Sequence, residues 1–401
     1  MRLLQVTPAF PPSALGGISS HVDLISRELA KQGHTVRVAT TNRYDFRNVM
    51  SLSGLVEVDG LQVFYAKALW PGRYFFAPGI MAVLRKWVPS VDIVHIHDTR
   101  TFVGSVAYRI AKKAHIPYIV TCHGSLSTQI GDTRLKGIHD KIIGRGLVEK
   151  AARVIAVSEK ELPDLVQFGI PAGRIAVIPN AVPMNRDDRK VPSSPLFAEA
   201  SGKMILYLGR IHPIKGIDRL VEAFSIARKR LKGCSLVIAG EDFGARSSLE
   251  MRVTQLGIDK AVFFVGQKSG PQKEELLRTA DVLVLPSHHE TLPMVILEAF
   301  AHGLPVITTR ECGIREQLAA SHAALIASSP AEIADGIVQC LEDQSLRQTL
   351  RAGGYELLQT RYNWANALTQ LNAVYERAVS EDESFKAHAQ GRWQHKGMHG
   401  N

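Results

Sequence analysis

The stretch ADVLVLPSHHETLPMVILEAFAHGLPVIT, Ala280–Thr308, decides the fold class of this chain. Its apolar, β-branched segment Asp281–Leu285 is typical of a buried parallel strand. A polar loop follows, and Pro293 suits the first position of a helix because no N–H donor is needed there. Gly303 stops that helix before a second apolar run. Strand, helix and strand in this order predict a βαβ unit of an α/β protein.

Two carboxylates, Glu290 and Glu298, flank the predicted helix start. A helix start favours phosphate because it presents free N–H groups, here those of Met294 and Val295, and a partial positive charge. From Pro293 to Glu298 the helix rises roughly 7.5 Å, at about 1.5 Å per residue, which would span a diphosphate and a neighbouring sugar hydroxyl. One carboxylate could then hold a ribose and the other a transferable sugar. The alternative is that both glutamates only complement the helix dipole.

Length and composition indicate a globular protein of two domains. The chain has 401 residues, of which 45% are hydrophobic and 21% charged, and two domains are the natural expectation at this length. No apolar run approaches the ~18 residues of a spanning helix, and we expect the first ten residues to form a strand rather than a signal peptide. The four cysteines lack C-x-x-C spacing, which argues against a zinc site or disulfide framework and for a reducing cytoplasm.

The positive charge is concentrated in the first half. The net charge is +10; residues 1–185 hold 22 Lys/Arg and 13 Asp/Glu, a balance of +9, and the remainder carries +1. This asymmetry favours an anionic partner, namely nucleic acid, anionic lipid or a phosphorylated acceptor, although a skewed solvated surface would give the same count. Nucleic acid ranks last because no nucleic-acid-binding motif accompanies the charge.

A glycine pair, Gly16 and Gly17, lies between the first strand and a predicted helix, His21–Gln32. Ser19 or Ser20 is expected to cap this helix. The glycines would let the backbone approach a phosphate closely, although turns also use them for steric reasons. Neither G-x-G-x-x-G nor G-x-x-x-x-G-K-[ST] occurs here, which excludes a standard dinucleotide fingerprint and a P-loop.

Three histidines lie on or after predicted strands. His123 follows the strand Tyr118–Cys122, at the end where open α/β sheets bind ligands; a structural role is the alternative. His95 and His97 lie on one face of the strand Asp92–His97. No third ligand is evident, so we predict no metal site there.

Two segments of the first half combine features that suit a membrane or an acceptor. Leu69–Val88 mixes aromatic and basic residues, among them Phe75, Phe76 and Arg85, and this mixture suits a membrane interface or a lipid-linked acceptor. Packing against the domain core is the alternative. Arg134–Lys150 is a basic helical segment that is either a solvated face or an acceptor-facing surface.

A proline-rich stretch, Pro183–Ser201, reads as a linker. The βα alternation restarts at the strand Met204–Leu208 and the helix Ile217–Leu231. Arg210 and Lys215 lie between them, where they would form a diphosphate clamp. Two unrelated surface cations are the alternative.

Several of these motifs together resemble glycosyltransferase family 4. Residues 290–298, ETLPMVILE, resemble its E-x7-E signature; residues 209–216 match G-R-x-x-x-x-K-G, and residues 121–124, TCHG, resemble T-x-H-G. The matches extend from residue 16 to residue 316. The family comprises retaining, nucleotide-sugar-dependent transferases of the GT-B fold.

The resemblance implies an α/β protein of the GT-B type, with two Rossmann-like, doubly wound parallel-sheet domains facing across a cleft. Residues 1–185 would form the acceptor domain and residues 186–362 the donor domain. Residues 363–380 would form a helix that crosses back to the first domain. The polar residues 381–401 are expected to be disordered.

The resemblance also implies a function. We expect transfer of a hexose or N-acetylhexosamine from a UDP- or GDP-sugar to an acceptor hydroxyl. The basic first half favours a lipid-linked saccharide acceptor in envelope or exopolysaccharide synthesis. A nucleotide-sugar 2-epimerase on the same fold and a noncatalytic nucleotide-sugar-binding protein are the alternatives.

The expected catalytic residues are His123, near the leaving phosphate or the acceptor, Arg210 and Lys215 on the diphosphate, and Glu290 on the transferred sugar. Glu298 would hold the ribose. The expected donor-binding set is Gly16, Gly17, Arg210, Lys215, Gly266, Glu290, Leu292, Met294, Val295 and Glu298.

The chain departs from the family pattern at three positions. Ala181 replaces a glycine, and Cys312 and Arg315 stand where a glycine and a proline are usual. The resemblance implies that the last two positions border the sugar pocket, so the identity of the sugar stays open. No D-x-D motif follows a strand, so we expect protein cations to replace a metal, and no cofactor. The expected location is the cytoplasm, with peripheral contact with an anionic membrane at its inner face.

Overall fold

The computed structural model describes residues 1–13, 16–45, 48–69, 76–126, 144–184 and 202–396, with side chains up to residue 381. The chain divides into two compact units. Unit 1 consists of Met1–Pro179 together with Ala365–Asn401, and unit 2 consists of Asn180–Trp364.

Unit 1 is built on one sheet. Its strands are β1 (Arg2–Val6), β2 (Thr35–Thr41), β3 (Gly54–Val58), β4 (Leu61–Ala66), β5 (Ile93–His97), β6 (Tyr118–Thr121), β7 (Arg153–Ala156) and β8 (Ile175–Val177). They lie in the order β3-β4-β2-β1-β5-β6-β7-β8. All neighbours are parallel except β3 and β4, which form an antiparallel hairpin.

Unit 2 is built on a fully parallel sheet. Its strands are β9 (Lys203–Leu208), β10 (Cys234–Ala239), β11 (Val262–Gly266), β12 (Val282–Leu285), β13 (Val306–Thr308) and β14 (Ala324–Ile326). They lie in the order β11-β10-β9-β12-β13-β14. Most residues of these strands are buried, as their continuous apolar runs predict for a sheet covered on both faces.

Helices connect the strands in both units. Among the described residues they are α1 (Gly16–Lys31), α2 (Ile80–Trp87), α3 (Phe102–Ala114), α4 (Arg145–Glu149), α5 (Leu162–Gln167), α6 (Ile217–Ala227), α7 (Arg246–Gln255), α8 (Gly270–Thr279), α9 (Met294–Ala301), α10 (Arg315–Ala320), α11 (Pro330–Glu342), α12 (Gln344–Thr360) and α13 (Trp364–Lys396). None of them is both long enough and apolar enough to cross a lipid bilayer.

Each sheet changes direction beside its first strand. β1 lies between β2 and β5, and β9 lies between β10 and β12, so that the earlier strands of each sheet lie on one side of its first strand and the later strands on the other. At such a switch point the carboxyl ends of the strands border a crevice, which is where open α/β sheets bind ligands. The candidate residues that follow β5, β6, β9 and β12 are therefore placed for binding.

Two helix starts differ from the prediction. α1 begins at Gly16 instead of His21, and Ser19 is buried within the helix instead of capping it. The glycine pair forms the first turn because Gly16 adopts a φ of +73°, which lets the chain turn sharply into the helix. Pro293 is the N-cap of α9, with an extended ψ of 104°, instead of the first helical residue; a cap position also needs no N–H donor.

Some predicted features lie outside the described residues. These are Phe75, most of the linker at 183–201 and the part of the basic segment before residue 144. Phe76 is 42% exposed, and its ring lies 4.8 Å from that of Phe102. α13 continues into the segment for which the sequence predicts disorder.

Candidate active site

The carboxyl ends of β9 and β12 bring together three charged side chains of unit 2, namely those of Arg210, Lys215 and Glu290. Lys215 lies in the loop between β9 and α6, and Glu290 lies in the loop between β12 and α9. The Lys215 Nζ is 2.6 Å from the Glu290 Oε1, and these side chains are only 14% and 11% exposed. Ser287 Oγ donates a second hydrogen bond, of 2.7 Å, to the same oxygen.

Glu290 is held in its ionised form. Burial works to raise the pKa of its carboxyl, but the charge of Lys215 and the hydrogen bonds from Lys215 and Ser287 outweigh it, with help from the charge of Arg210. The pKa of Glu290 is therefore lowered below its ordinary value. Arg210 carries its guanidinium 5.4 Å from the centre of the Phe243 ring. The site thus combines two cations with one carboxylate.

A glycine allows the Lys215 loop to press against the Glu290 loop. Gly216 has a φ of +61°, and a Cβ at this position would lie 2.2 Å from the carbonyl oxygen of Pro286. Beside this contact the His288 N–H donates a 2.8 Å hydrogen bond to the Ile214 carbonyl. Because L side chains disfavour this φ and the space is filled by backbone, only glycine fits after Lys215.

The segment at Cys312 packs on the other side of Glu290. Glu290 and Cys312 form an isolated parallel β-bridge. The Glu290 N–H donates a 3.3 Å hydrogen bond to the Glu311 carbonyl. A Cβ at Gly313 would lie 2.1 Å from the Thr291 carbonyl oxygen. Cys312, where the family pattern has a glycine, is buried as a thiol. The departure therefore adds a buried side chain at the residue that bridges Glu290.

Glu298 pairs with a lysine that sequence reasoning missed. Lys273, on α8, places its Nζ 2.6 Å from the Glu298 Oε1. The two residues are 25 positions apart, and no local pattern joins them.

The start of α9 is not occupied by a capping side chain. Its first turn holds no acidic residue, and no side chain caps it. The N–H groups at the first positions of a helix lack intrahelical acceptors, and at α9 these belong to Met294 and Val295. Leu292 is buried just before them. Gly266, with a φ of +71°, ends β11.

His123 belongs to a hydrogen-bonded histidine cluster in unit 1. Its Nε2 lies 3.2 Å from the Nδ1 of His97, whose Nε2 lies 2.8 Å from the Gln5 Oε1. Gln5 Nε2 donates a 3.2 Å hydrogen bond to the Tyr375 hydroxyl, which lies 2.8 Å from the Nδ1 of His95. β1, β5 and α13 thus supply a continuous path to His123.

The orientation of the Gln5 side-chain amide determines which ring nitrogen carries the proton in His97 and in His123. Because the Gln5 Oε1 accepts from the His97 Nε2–H, the His97 Nδ1 must accept from the His123 Nε2–H. The remaining His123 nitrogen, Nδ1, is then an acceptor. Burial, together with neighbouring histidine rings, lowers the pKa of both His97 and His123 well below the ordinary value, which keeps the rings neutral.

A buried carboxyl supports the turn that carries His123. Glu161 Oε1 accepts a hydrogen bond from the Gly124 N–H, and its Oε2 accepts one of 2.6 Å from the Val157 N–H. Burial raises the pKa of Glu161 to about 7, against these hydrogen bonds. His123 itself has a φ of +51°. Sequence reasoning missed Glu161 because Gly124, the partner in the His123 turn, lies 37 positions away and follows a different strand.

Gly16 and Gly17 open α1, and α1 also reaches the cluster. The ring of His21, one turn into this helix, lies 5.5 Å from the ring of His123. Within the described residues, the histidines do not form a group able to hold a metal ion. Gly16, Gly17 and His123 thus belong to unit 1, and the remaining expected residues belong to unit 2, where Lys215 and Glu290 are in direct contact.

Comparisons with known proteins agree with these features. The family model described as "Glycosyltransferase Family 4" matches residues 15–186, and "Glycosyl transferases group 1" matches residues 193–357. An uncharacterized glycosyltransferase of Methanocaldococcus jannaschii is 28% identical, over 94% of this chain and 99% of the relative. The D-inositol 3-phosphate glycosyltransferase of Jonesia denitrificans is 28% identical, over 94% and 95%. A GDP-mannose:cellobiosyl-diphosphopolyprenol alpha-mannosyltransferase of Xanthomonas campestris is 26% identical, over 96% and 100%.

Solved structures show the same fold. Sucrose-phosphate synthase from Thermosynechococcus elongatus superposes with a TM-score of 0.76 at 21% identity, over 95% of this chain and 100% of that one. Anabaena HepE, in complex with UDP and glucose, gives a TM-score of 0.72 at 19% identity, over 94% and 98%. These likenesses and the two parallel-sheet units identify the GT-B fold. The chain belongs to the group 1 glycosyltransferases of family 4.

Proposed function

We propose that this protein is a retaining glycosyltransferase that moves a hexose or N-acetylhexosamine from a UDP- or GDP-sugar to a saccharide acceptor hydroxyl. The buried Lys215–Glu290 pair at the β9–β12 switch point carries this proposal. The named relatives include a mannosyltransferase that uses GDP-mannose and an inositol-phosphate glycosyltransferase, and HepE has been solved with UDP-glucose. They support the class of donor.

Departure of the nucleoside diphosphate is the electrostatic problem in this reaction. Arg210 and Lys215 supply two positive charges, and the Met294 and Val295 amides supply helix-start dipoles. These groups are fixed before the reaction, so they stabilise the growing negative charge without reorganising. We propose that protein cations, and not a metal ion, fill this role; activity that disappears in EDTA and returns with Mg²⁺ would contradict it.

The two carboxylates bind hydroxyl groups in this proposal. Glu290, ionised and oriented by Lys215 and Ser287, accepts hydrogen bonds from the transferred sugar. Glu298, oriented by Lys273, accepts those of the ribose. His123 follows the carboxyl end of β6 in unit 1. It would contact the leaving phosphate or the acceptor. Leu292 and Gly266 would line the donor site, as would the Gly16–Gly17 turn.

The acceptor and the location are proposed on charge and exposure. A lipid-linked saccharide of envelope or exopolysaccharide synthesis, reached from the cytoplasm at the inner membrane face, suits the +9 balance of residues 1–185. Phe76 is 42% exposed, and the last turn of α2 carries the basic residues Arg85 and Lys86. Co-sedimentation with anionic vesicles that is unchanged in Phe76→Ser and Arg85→Gln would remove the membrane part of the proposal.

Two substitutions test the donor site. Lys215→Ala should lower kcat on the active nucleotide sugar about 10²- to 10³-fold, the typical loss for one preorganised charge-stabilising group. Glu298→Ala should mainly raise KM for the donor, because it removes ground-state binding of the ribose. A panel of UDP- and GDP-sugars, with product analysis, provides the assay.

Lys260→Ala, which changes an exposed cation of the same unit, is the control and should leave both constants unchanged. Near-normal turnover and donor affinity in Lys215→Ala and Glu298→Ala would refute the site assignment. An epimerised nucleotide sugar formed without acceptor would identify a 2-epimerase, and a donor that binds without being consumed would identify a noncatalytic protein.

A further inference from the structure

A recess lined by basic side chains opens in unit 1. Its volume is about 740 Å³, within the range of small-molecule sites. The permanent cations that line it are Lys112, Lys150, Arg153 and Arg174, and we call this feature the basic recess. The one carboxylate among its lining residues is Glu381, on α13.

The basic recess lies at the opposite sheet edge from His123. Arg153 is the first residue of β7, and Arg174 directly precedes β8. The segment at His115, which also lines the recess, leads into β6. Because β6, β7 and β8 are parallel, these residues share the amino edge of the sheet, whereas His123 follows the carboxyl end of β6. The recess is therefore separate from the candidate active site.

The positive charge of the basic recess is only partly compensated. Arg153 forms an ion pair with Glu381, and its side chain is 12% exposed. Arg174 donates a 2.8 Å hydrogen bond to the Glu149 carbonyl, which is a neutral group. No described carboxylate forms an ion pair with Lys112 or Lys150. Four cations therefore face one carboxylate.

Lys112 and Lys150 lie close enough to repel each other. The neighbouring Lys150 ammonium lowers the pKa of Lys112 below the ordinary value, because two protonated lysines offer each other no acceptor and their charges repel. Like charges held together in this way are relieved when an anion binds between them. The lysines stand beside Arg153 and Arg174, whose planar guanidinium groups can each bind a phosphate through two hydrogen bonds.

The lining also contains apolar groups. Ile116, Pro117 and Ala378 contribute to its walls, so a ligand with an uncharged portion could be accommodated beside the cations. The excess of positive charge in the first half of the sequence is not used by the donor site, whose cations lie in unit 2. Four of these positive charges line the basic recess, where they could bind an anion.

We propose that the basic recess binds a multiply charged phosphate group, carried either by a free phosphate ester or by a phosphorylated lipid headgroup. The ligand's phosphate oxygens would lie between the Lys112 and Lys150 ammonium groups and accept hydrogen bonds from the adjacent arginines. This site goes beyond the transferase reaction, since it uses none of the residues assigned to donor binding.

Inorganic pyrophosphate is the probe for this site, titrated calorimetrically into the full-length chain. Because pyrophosphate can also enter the donor site, the titration is run in a Lys215→Ala background. Binding should persist there, weaken at least about tenfold in Lys112→Gln/Lys150→Gln, and recover in Lys112→Arg/Lys150→Arg. Lys113→Gln is the matched control, because Lys113 is an exposed neighbour on α3 that does not line the recess.

Each outcome separates the recess from the donor site. Binding that is abolished by Lys215→Ala alone would overturn the recess and leave the donor assignment standing. An unchanged affinity in the double glutamine variant, or an equal loss in Lys113→Gln, would also overturn it. Vesicles containing phosphatidic acid, whose phosphomonoester headgroup can carry more than one negative charge, would identify a headgroup if they bind through Lys112 and Lys150 and are displaced by pyrophosphate. Pyrophosphate binding without vesicle binding would identify a free ester.

Discussion

Gly216 positions the proposed catalytic charges of Lys215 and Glu290 although it has no side chain. Its φ of +61° turns the chain into α6 directly after Lys215, and the absence of a Cβ lets the loop touch the Pro286 carbonyl. The adjacent lysine can then reach Glu290 across the switch point. The contact between the Lys215 side chain and Glu290 thus depends on the backbone conformation of Gly216.

Gly216→Ala should destabilise the protein more than Gly257→Ala does. Both glycines have a positive φ, but an added Cβ at Gly257 meets nothing within 4 Å, whereas at Gly216 it meets backbone at 2.2 Å. Gly257→Ala should therefore lose only about 1–2 kcal/mol from the unfavourable φ. Gly216→Ala should lose clearly more and should lower kcat, because the loop must move. Urea unfolding and steady-state kinetics measure the two effects; equal losses would contradict the argument.

At the scale of elements, α13 contributes a single hydroxyl that joins two strands of unit 1. Tyr375 is fully buried, and its hydroxyl contacts Gln5 of β1 and His95 of β5. Gln5 in turn contacts His97, and so the helix is connected to His123 through polar groups alone. The helix thereby contributes to the setting of a candidate catalytic residue that lies far from it in sequence.

Tyr375→Phe should lower the free energy of unfolding by roughly 1–3 kcal/mol, because it leaves two buried polar groups without their partner. It should also let the proton of the neutral His95 ring occupy either nitrogen, because the Tyr375 hydroxyl no longer contacts Nδ1. Long-range nitrogen–proton NMR spectra of the histidine rings would show this change. In the unchanged protein the same spectra should report the Nε2–H tautomer for His97 and His123. Tyr44→Phe, at a 41% exposed residue, is the control; equal effects of the two substitutions, or an Nδ1–H tautomer of His123, would contradict the assignment.

At the scale of the molecule, buried histidines make the stability of the chain depend on pH. Burial lowers the pKa of His21 to about 4 and that of His95 to about 3. His97 and His123 are shifted in the same direction. Unfolding returns these rings to an ordinary pKa of about 6.5. The unfolded state therefore binds more protons than the folded state between about pH 4 and pH 6.5.

Stability should accordingly fall as the pH falls through this window, by roughly 2 kcal/mol at pH 5 for each histidine that stays neutral. Glu161 acts in the opposite direction: its raised pKa favours the folded state below about pH 4.5, and that contribution is lost as the pH rises through about 7. Four histidines outweigh this one carboxyl. Urea unfolding at pH 7 and pH 5 tests the balance, and His95→Gln should reduce the difference. Equal or greater stability at pH 5 would contradict it.

Local patterns in the chain were sufficient to predict the two α/β units and the residues at the carboxyl ends of their strands. Apolar runs identify strands, and the polar residues that follow them identify the edge at which Arg210, Lys215 and Glu290 meet, because parallel strands share their direction. The start of α1 was wrong, since a Gly–Gly pair suits a loop and the first turn of a helix equally well.

The folded chain alone determined which side chains become partners. Lys273 and Glu298, Glu161 and Gly124, and Gln5 and Tyr375 are each brought together by strand order and helix packing. The same holds for the basic recess, whose residues come from α3, β7, the segment before β8, and α13. Backbone periodicity reports on residues a few positions apart, whereas hydrogen bonds and ion pairs depend on distances that only the packed sheets and helices define.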